Sequence, residues 1–349
     1  MSFFACDNGV DNGVKVVNGK RITQSDISSL DLSAISGEYL LQLTGTWDSS
    51  STELSELGDK IKQANTNAKI ILDMSELTNL TEIGDKAFEH CTDLMSVNIP
   101  SSVTSIGNWV FAYCTDLMSV NIPSGVTTIG EYVFYGCKVL TSVTIPSSVM
   151  SIGDYTFGGG CTNLTSFTVD KANTNYKASD DGKMLLSKDG KTLVCYPSAT
   201  GNVTNIPDGV TSIGSAFAYC TGLTSVNIPD SVNSIDGWAF DSCTDLTSVN
   251  IGSGVTSIGI LAFQNCTSLT SVTIPSGVTS IGNWVFASCE NLASITFATT
   301  TGWRYTDNKT NWQNKTGGTS CDVSNSATNA AHFTRASGEP NYNYYWYKN

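Results

Sequence analysis

Residues 83–105 read IGDKAFEHCTDLMSVNIPSSVTS, and residues 106–128 repeat the pattern as IGNWVFAYCTDLMSVNIPSGVTT. The unit I-G-x-x-x-F-x-x-C-x-x-L-x-x-V-x-I-P-x-x-V occurs eight times with small exceptions, and its usual step is 23 residues. A fixed period of this kind indicates repeated copies of one structural module, and it therefore governs the prediction of the whole fold. The recurring phenylalanines are Phe88, Phe111, Phe134, Phe157, Phe217, Phe240, Phe263 and Phe286.

Each module predicts one short β-strand followed by a turn. In residues 94–99 apolar and polar side chains alternate toward the end of the segment, which is typical of a strand with one buried face. Pro100 follows directly and ends the strand, because proline lacks the N–H that a sheet requires. A single module cannot stay folded alone, since ordering each residue costs about 1.5 kcal/mol. The modules must therefore stack, with their strands side by side in a parallel sheet.

The repeated pattern, which covers residues 83–297, resembles the leucine-rich repeat of the BspA-like, treponemal-type surface protein family. Residues 39–45 and 70–75, ahead of the repeats, and the aromatic residues 342–347 are similar to the same family. The resemblance implies an α/β solenoid, which is a leucine-rich repeat with a short parallel β-sheet, 23-residue BspA-type repeats and a β-α-β N-terminal cap. It also implies a non-enzymatic bacterial protein, on the cell surface or secreted, that binds host extracellular-matrix proteins or other cells as an adhesin.

Four parts of the chain are predicted. Residues 1–38 form an N-terminal tether, residues 39–80 the cap, residues 81–297 the solenoid and residues 298–349 an aromatic-rich C-terminal segment. A cap is needed because the inner face of a terminal module would otherwise be exposed to water. Two apolar strands flank a helix whose Leu54, Leu57 and Ile61 share one face, and a β-α-β unit is the natural start of a parallel sheet.

Residues 170–205 interrupt the period. The Asp189-Gly190 pair between short apolar runs predicts a hairpin, and we expect this insert to project from the solenoid. The insert either has a purely structural role or carries residues that bind a partner. The C-terminal aromatic residues leave a similar choice between a cap on the last repeat and an exposed patch for a partner.

Eight of the 11 cysteines occupy one repeat position, and a ninth, Cys6, lies near the start. One cysteine per module predicts a buried row of free thiols, with disulfides and metal binding as weaker alternatives. Cys6 follows Phe3-Phe4-Ala5, which resembles the end of a bacterial lipoprotein signal, although the charged and long apolar parts of such a signal are absent. Cys6 is therefore a candidate lipidation site: either the native start lies upstream of Met1, or the match is accidental.

Composition excludes several classes of function. The chain has 31 acidic and 18 basic residues and a net charge of −13, which disfavours a nucleic-acid partner. No apolar run reaches the roughly 20 residues that span a bilayer, so membrane association is expected only through a lipid anchor. The two histidines, His90 and His332, have no zinc-site spacing, and no catalytic motif is present. We therefore expect no enzyme activity, no cofactor and no metal.

Two surfaces are candidates for ligand binding. The outward positions of the strands carry small uncharged side chains, with asparagines at Asn98, Asn121, Asn227 and Asn250. The second surface is a row of aromatic residues two positions before the repeat phenylalanine, namely Trp109, Tyr132, Tyr155, Trp238 and Trp284. Aromatic side chains are enriched at interaction hot spots and stack on sugars. The predicted partner is a host extracellular-matrix or cell-surface protein, with a glycan-binding module and a structural spacer as alternatives. Each surface also has a purely structural interpretation, as a solvated sheet face or as rings that cover neighbouring backbone.

Overall fold

The computed structural model describes residues 18–47, 52–64, 68–198, 206–307, 319–320, 322–334 and 344–348, together with residues 313 and 315. The chain divides into two compact units, residues 1–153 and residues 154–349. The first unit contains β1 (Asn18–Ile22), a 3-10 helix (Gln24–Ser29), β2 (Gly37–Thr46), α1 (Glu53–Lys62), β3 (Ala68–Thr78), β4 (Glu82–Ile83), β5 (Leu94–Asn98), β6 (Ser105–Ile106), β7 (Ser119–Asn121), β8 (Thr128–Ile129), β9 (Ser142–Ile145) and β10 (Ser151–Ile152).

Two parallel sheets run through the first unit. One has the strand order β1-β2-β3-β5-β7, and the other has the order β10-β8-β6-β4. Equivalent repeat positions pair with each other, as Ser96 does with Ser119 and Ser105 with Thr128. Each complete repeat of this unit thus adds a longer strand and a two-residue strand. The longer strand was predicted, whereas the two-residue strand is too short to show the alternation of apolar and polar residues that predicts a strand.

The second unit contains β11 (Ser166–Val169), β12 (Tyr176–Ala178), β13 (Leu185–Ser187), β14 (Thr192–Cys195), β15 (Ser212–Ile213), β16 (Ser225–Ile228), β17 (Ser234–Ile235), β18 (Ser248–Ile251), β19 (Ser257–Ile258), β20 (Ser271–Ile274), β21 (Ser280–Ile281), β22 (Ser294–Phe297), β23 (Trp303–Thr306), β24 (Thr319–Ser320), α2 (Ser326–Phe333) and β25 (Tyr345–Lys348). Ten of these strands form one sheet in the order β12-β13-β14-β15-β17-β19-β21-β25-β23-β24. The longer repeat strands pair in parallel as β16 with β18 and β20 with β22.

Stacked phenylalanines form the centre of the core. In the second unit the rings of Phe217, Phe240, Phe263 and Phe286 follow one another with centroids 4.9, 5.0 and 5.4 Å apart. All four side chains are fully buried. The 23-residue period therefore places one ring directly on the next, at about the spacing of neighbouring strands.

The predicted row of buried thiols is confirmed. All nine described cysteines are buried and free of disulfides. Five thiols of the row donate a hydrogen bond to the carbonyl of the phenylalanine one repeat earlier, as Cys243 Sγ does to Phe217 O at 3.0 Å and Cys266 Sγ to Phe240 O at 3.2 Å. Burial raises the pKa of the Cys220 thiol to about 12. These cysteines are packing residues that also satisfy a backbone acceptor.

The first repeat is covered by the segment before it. β2 and β3 pair in parallel, and α1 lies between them in sequence with Leu54, Leu57 and Ile61 buried. Gly58 of α1 packs against the first repeat so closely that a Cβ there would overlap the carbonyl oxygen of Ala87. The thiol of Cys91 donates to Gly58 O at 3.4 Å. Because helices are few in the described chain, the architecture is a β-solenoid, and the predicted α/β class is supported only in its solenoid part.

The last repeat is covered by the C-terminal residues. The Phe333 ring of α2 lies 6.0 Å from that of Phe286, and the buried Asn329 Nδ2 donates to Ile295 O at 2.9 Å. β25 pairs antiparallel with β21 and places Trp346 opposite Ile281. Tyr345, Trp346 and Tyr347 are all buried, so these aromatic residues pack on the repeat and do not form an exposed patch.

Two predicted features differ from the structure. Residues 18–22 pair with β2, and Ile22 and Ile27 are fully buried, so this part of the predicted tether is folded against the sheet. The insert does not project as a separate hairpin. β13 pairs antiparallel with β14 as predicted for a hairpin, but β14 also pairs in parallel with β15, so the insert extends the repeat sheet. Its apolar residues, among them Leu193, are buried and require this contact.

Candidate binding surfaces

The aromatic row lies in a turn with unusual backbone geometry. Trp109, Tyr132, Tyr155, Trp238 and Trp284 all have φ between 57° and 59°, in the left-handed region that favours glycine. A bulky residue is strained there. Backbone hydrogen bonds between neighbouring repeats hold this conformation. The donors are the N–H groups of Trp109, Phe111 and Tyr113, and the acceptors are Glu131 O, Val133 O and Tyr135 O, at 2.9, 3.0 and 2.6 Å respectively. Several hydrogen bonds per turn thus fix a backbone that these side chains would not adopt alone.

In the first unit the aromatic rings of this row stack on each other. The Trp109 and Tyr132 centroids are 4.1 Å apart and the ring planes differ by 10°. Tyr135 packs obliquely against both, at 5.9 and 5.7 Å. The Lys86 ammonium lies 5.9 Å from the Trp109 ring centroid, at cation–π distance. Trp109 and Tyr132 therefore cover part of each other's faces, which reduces the ring surface that is free to stack on a sugar.

In the second unit the row is not uniform. Tyr155 is 8% exposed and packs edge-to-face against Trp238, with centroids 6.4 Å apart. Trp238 is 41% exposed, whereas Trp284 is half-buried. Ser215 and Leu261 occupy the equivalent position in the repeats on either side of Trp238. Trp238 is therefore the member of the row best placed for an external contact.

Further rings belong to the same surface and were missed from the sequence. Tyr113 stacks on His90 at 4.5 Å and meets the edge of Tyr135 at 5.3 Å, and Tyr219 packs against Tyr155 at 6.2 Å. His90, Tyr113 and Tyr219 have φ near 60°, so each such repeat has a second left-handed position. The sequence signal for these residues is their common position, two residues after the repeat phenylalanine.

The strand face carries the predicted ladder of small polar side chains. Ser96 pairs with Ser119 and Asn98 with Asn121 in register, and Asn227 pairs with Asn250. Asn98 is half-buried, whereas the other three asparagines are exposed. Asn250 Nδ2 donates to Asn227 Oδ1 at 2.5 Å. The ladder is thus a regular array of uncharged hydrogen-bonding groups, with the 57%-exposed Met118 as a large apolar neighbour in the first unit.

Titratable groups with shifted pKa values are buried in the core or fixed in turns. Burial raises the pKa of Asp241 to about 6, against the lowering effect of its hydrogen bond from Ser242. Burial also raises the pKa of the Cys91 thiol to about 12, which leaves it protonated and unreactive.

Within the described ranges no group of three or more His, Cys, Asp and Glu side chains could hold a metal ion. Cys6 lies outside the described residues.

No α-helix in the part of the chain that the structure describes combines the length and the apolarity required to cross a membrane.

Comparison with known proteins agrees with this geometry. The family model of the BspA-type leucine-rich repeat region matches residues 65–179 and 195–305, in six copies. The match covers more than half of the chain, and this protein therefore belongs to the BspA-type leucine-rich repeat family. No curated protein matches the chain.

Solved structures of bacterial leucine-rich repeat proteins are similar to the chain. The pneumococcal vaccine antigen PcpA is 20% identical with a TM-score of 0.58, over 82% of this chain and 73% of PcpA. A leucine-rich repeat protein from Eubacterium ventriosum is 24% identical with a TM-score of 0.49, over 73% of this chain and 66% of that protein. A leucine-rich cell surface protein from Faecalibacterium prausnitzii is 24% identical with a TM-score of 0.45, over 87% and 92%. The similarity to PcpA supports the fold alone.

Proposed function

We propose that this protein is a non-enzymatic bacterial adhesin, displayed on the cell surface or secreted, that binds host extracellular-matrix proteins or the surface of other cells. The observation that carries the proposal is the BspA-type repeat region over residues 65–179 and 195–305, since the resemblance to this family implies that role. PcpA, a pneumococcal vaccine antigen, has the same type of fold. The ligand class follows from this family membership and from the surfaces that the repeats present.

The strand ladder fits a binding surface for an extended protein partner. Its serine, threonine and asparagine side chains recur in register on neighbouring strands, so the same hydrogen-bonding groups are offered many times. Each single contact is weak because these side chains are small and uncharged. Many weak contacts to one extended or repetitive partner add up through effective concentration. Binding is therefore expected to depend on the number of intact repeats.

A solid-phase assay with purified fibronectin, fibrinogen and laminin tests the proposal. We expect saturable binding to at least one of them and weaker binding for the variant in which Asn227 and Asn250 are changed to Ala. A matched variant changes Asn163 and Asn233, which are exposed asparagines outside the ladder. The absence of saturable binding to all three proteins contradicts the adhesin proposal, and equal losses for the two variants contradict the role of the ladder.

A glycan-binding module is the second candidate, and the exposure of Trp238 favours it. One stacked aromatic ring contributes about 1 kcal/mol to a contact, which corresponds to a several-fold change in affinity. Retention on a polysaccharide column should therefore fall for Trp238→Ala. It should remain for Leu261→Ala, which removes an aliphatic side chain from the equivalent left-handed position, where φ is 61°. The structural spacer, the third candidate, predicts that deleting two repeats leaves adhesion unchanged.

Two regions have supporting roles in this proposal. The segment from β2 to β3, which includes α1, serves as the N-terminal cap, and the close packing of Gly58 on Ala87 supports this. Lipidation at Cys6 anchors the protein to the membrane surface, with two lipid chains needed for stable attachment. Labelling cells with radioactive palmitate tests the anchor. The label should appear in the protein expressed in its native host and be lost in Cys6→Ser.

A further inference from the structure

The insert between the repeats contains two copies of one turn, Ser179-Asp180-Asp181-Gly182-Lys183 and Ser187-Lys188-Asp189-Gly190-Lys191. In the second copy Ser187 Oγ donates to Asp189 Oδ1 at 2.7 Å, and Lys191 N donates to the same oxygen at 3.0 Å. Thr192 N donates to Ser187 Oγ at 2.9 Å, and Gly190 has φ of 75°. The first copy has the corresponding bonds. These turns are therefore rigid, and each fixes the backbone of the lysine that ends it.

Four lysines are placed around the second turn. Lys188 Nζ donates to Lys171 O at 3.4 Å, which brings the side chain of Lys188 to the backbone of Lys171. A Cβ at Gly190 would lie 2.6 Å from Lys177 Nζ, so this ammonium lies directly beside the turn. Lys191 ends the turn. The buried Asn173 accepts from Asn175 N at 2.8 Å and thereby fixes the loop that carries Lys171.

The described carboxylates near these lysines form no close ion pair with them. Asp170 Oδ1 accepts from Ala172 N at 2.8 Å, and Asp189 Oδ1 accepts the two turn bonds. These hydrogen bonds and the charges of Lys191 and Lys177 lower the pKa of Asp189. Among the described residues, no carboxylate lies within 4.0 Å of the ammonium nitrogen of Lys171, Lys177, Lys188 or Lys191.

The charge balance at the insert is the reverse of that of the whole chain. Residues 170–191 contain five lysines and four aspartates, a net charge of +1, whereas the whole protein has 18 basic against 31 acidic residues. Residues 171–191 hold five of those 18 basic residues. Lys171, Lys188 and Lys191 are exposed, and Lys177 is half-buried. A positive site in a negative protein attracts a flexible anionic chain locally and is sensitive to salt.

We propose that Lys171, Lys177, Lys188 and Lys191 form a binding site for a sulfated polysaccharide chain of the glycosaminoglycan type. Four lysines suit a short run of sulfate groups, whereas specific binding to duplex DNA uses about six to ten phosphate contacts. Single-stranded nucleic acids need exposed aromatic rings for base stacking, and the four lysines are not interleaved with any exposed aromatic side chain. The site deepens the proposed adhesion function, because it names one class of matrix component and the residues that bind it.

Retention on immobilised heparin and titration calorimetry with a heparin oligosaccharide test the site on the full chain. We expect binding to weaken at least tenfold in the variant with all four lysines changed to Gln. A control variant changes Lys20, Lys60, Lys62 and Lys138 to Gln, has the same net charge and should bind heparin like the wild type. Raising NaCl from 50 to 200 mM should weaken wild-type binding roughly 50-fold if four ion contacts form.

Two further experiments identify the ligand and test whether the variants are folded. Changing the four lysines to Arg should retain binding, which separates lost charge from lost structure, and circular dichroism checks the fold of each variant. Chemically desulfated heparin should not bind. Equal losses in the insert and control variants, undiminished binding of desulfated heparin, or tighter binding to duplex DNA would overturn the proposal. Binding to matrix proteins is measured separately in the solid-phase assay. A failure of heparin binding therefore does not by itself contradict the adhesin proposal.

Discussion

Asp241 is a buried carboxyl group whose replacement should stabilise the protein in a pH-dependent way. The residue is 6% exposed, and burial raises its pKa to about 6 from an ordinary value of 3.8. Its carboxylate accepts a hydrogen bond from Ser242 Oγ at 3.2 Å, and Asn265 Nδ2 donates to the same hydroxyl at 3.2 Å. These polar contacts do not compensate for the loss of water around the charge. Asp241→Asn keeps the size and one acceptor oxygen while removing the charge.

The direction and size of the effect follow from the two pKa values. Because the folded-state value is raised, the contribution of Asp241 to stability is most favourable below about pH 3.8, falls between about 3.8 and 6, and stays at the lower level above 6. The shift corresponds to an upper limit of about 3 kcal/mol. The new amide donor needs a partner, which costs on the order of 1 kcal/mol. We therefore expect Asp241→Asn to be about 1–2 kcal/mol more stable than the wild type at pH 7.5.

Urea unfolding at pH 7.5, 5 and 3.5 measures this difference. The gain of the variant should shrink as the pH falls and become a loss on the order of 1 kcal/mol near pH 3.5, where Asp241 is largely neutral and the cost of the unpaired amide remains. Asp245→Asn is the charge-matched control, because Asp245 is exposed on the same repeat. A variant that is no more stable than the wild type at pH 7.5, or a gain that is the same at all three pH values, refutes the reasoning. So does an equal gain in the Asp245 variant.

Three other outcomes are expected. Gly58→Ala should lower the stability of the first unit by about 1–3 kcal/mol in urea unfolding, because its Cβ would overlap the Ala87 carbonyl, whereas Gly222→Ala, with no atom within 4 Å of its Cβ, should be neutral. Phe240→Ala should cost about 3–5 kcal/mol, since the fully buried ring stacks on both neighbours, and a loss below 1 kcal/mol contradicts the stacked core. A water-soluble disulfide reagent should modify at most two of the 11 cysteines in the native protein, since nine are buried; reaction of further thiols before unfolding argues against the buried row.

Much of the core could be predicted from the sequence. Phe240, Cys243 and Leu246 are buried, as are their counterparts one repeat later, Phe263 and Cys266. The period alone identifies these positions, because a repeat that recurs exactly must place equivalent side chains in equivalent environments. The strand formed by Ser225–Ile228 follows for the same reason, since alternating apolar residues in a stacked module must face one core.

The candidate surfaces were predicted less completely. The residues of the aromatic row were identified, but their relative exposure was not, and Trp109 and Trp238 differ because of what occupies the same position in the next repeat. Tyr132 follows Trp109 and stacks on it, whereas Leu261 follows Trp238. Ring contacts of this kind depend on side-chain torsions and on the left-handed backbone conformation, and the residue type alone predicts neither.

The amino-acid sequence by itself determines the module, its number of copies and its buried residues, because apolar spacing at a constant step permits only stacking. Backbone conformation, the joining of the insert to the repeat sheet and the covering of both ends depend on contacts between residues far apart in the chain. β14 lies against β15, and β25 enters the sheet between β21 and β23. Such pairings bury specific backbone edges, and a local pattern of residues carries no information about which distant edge is available.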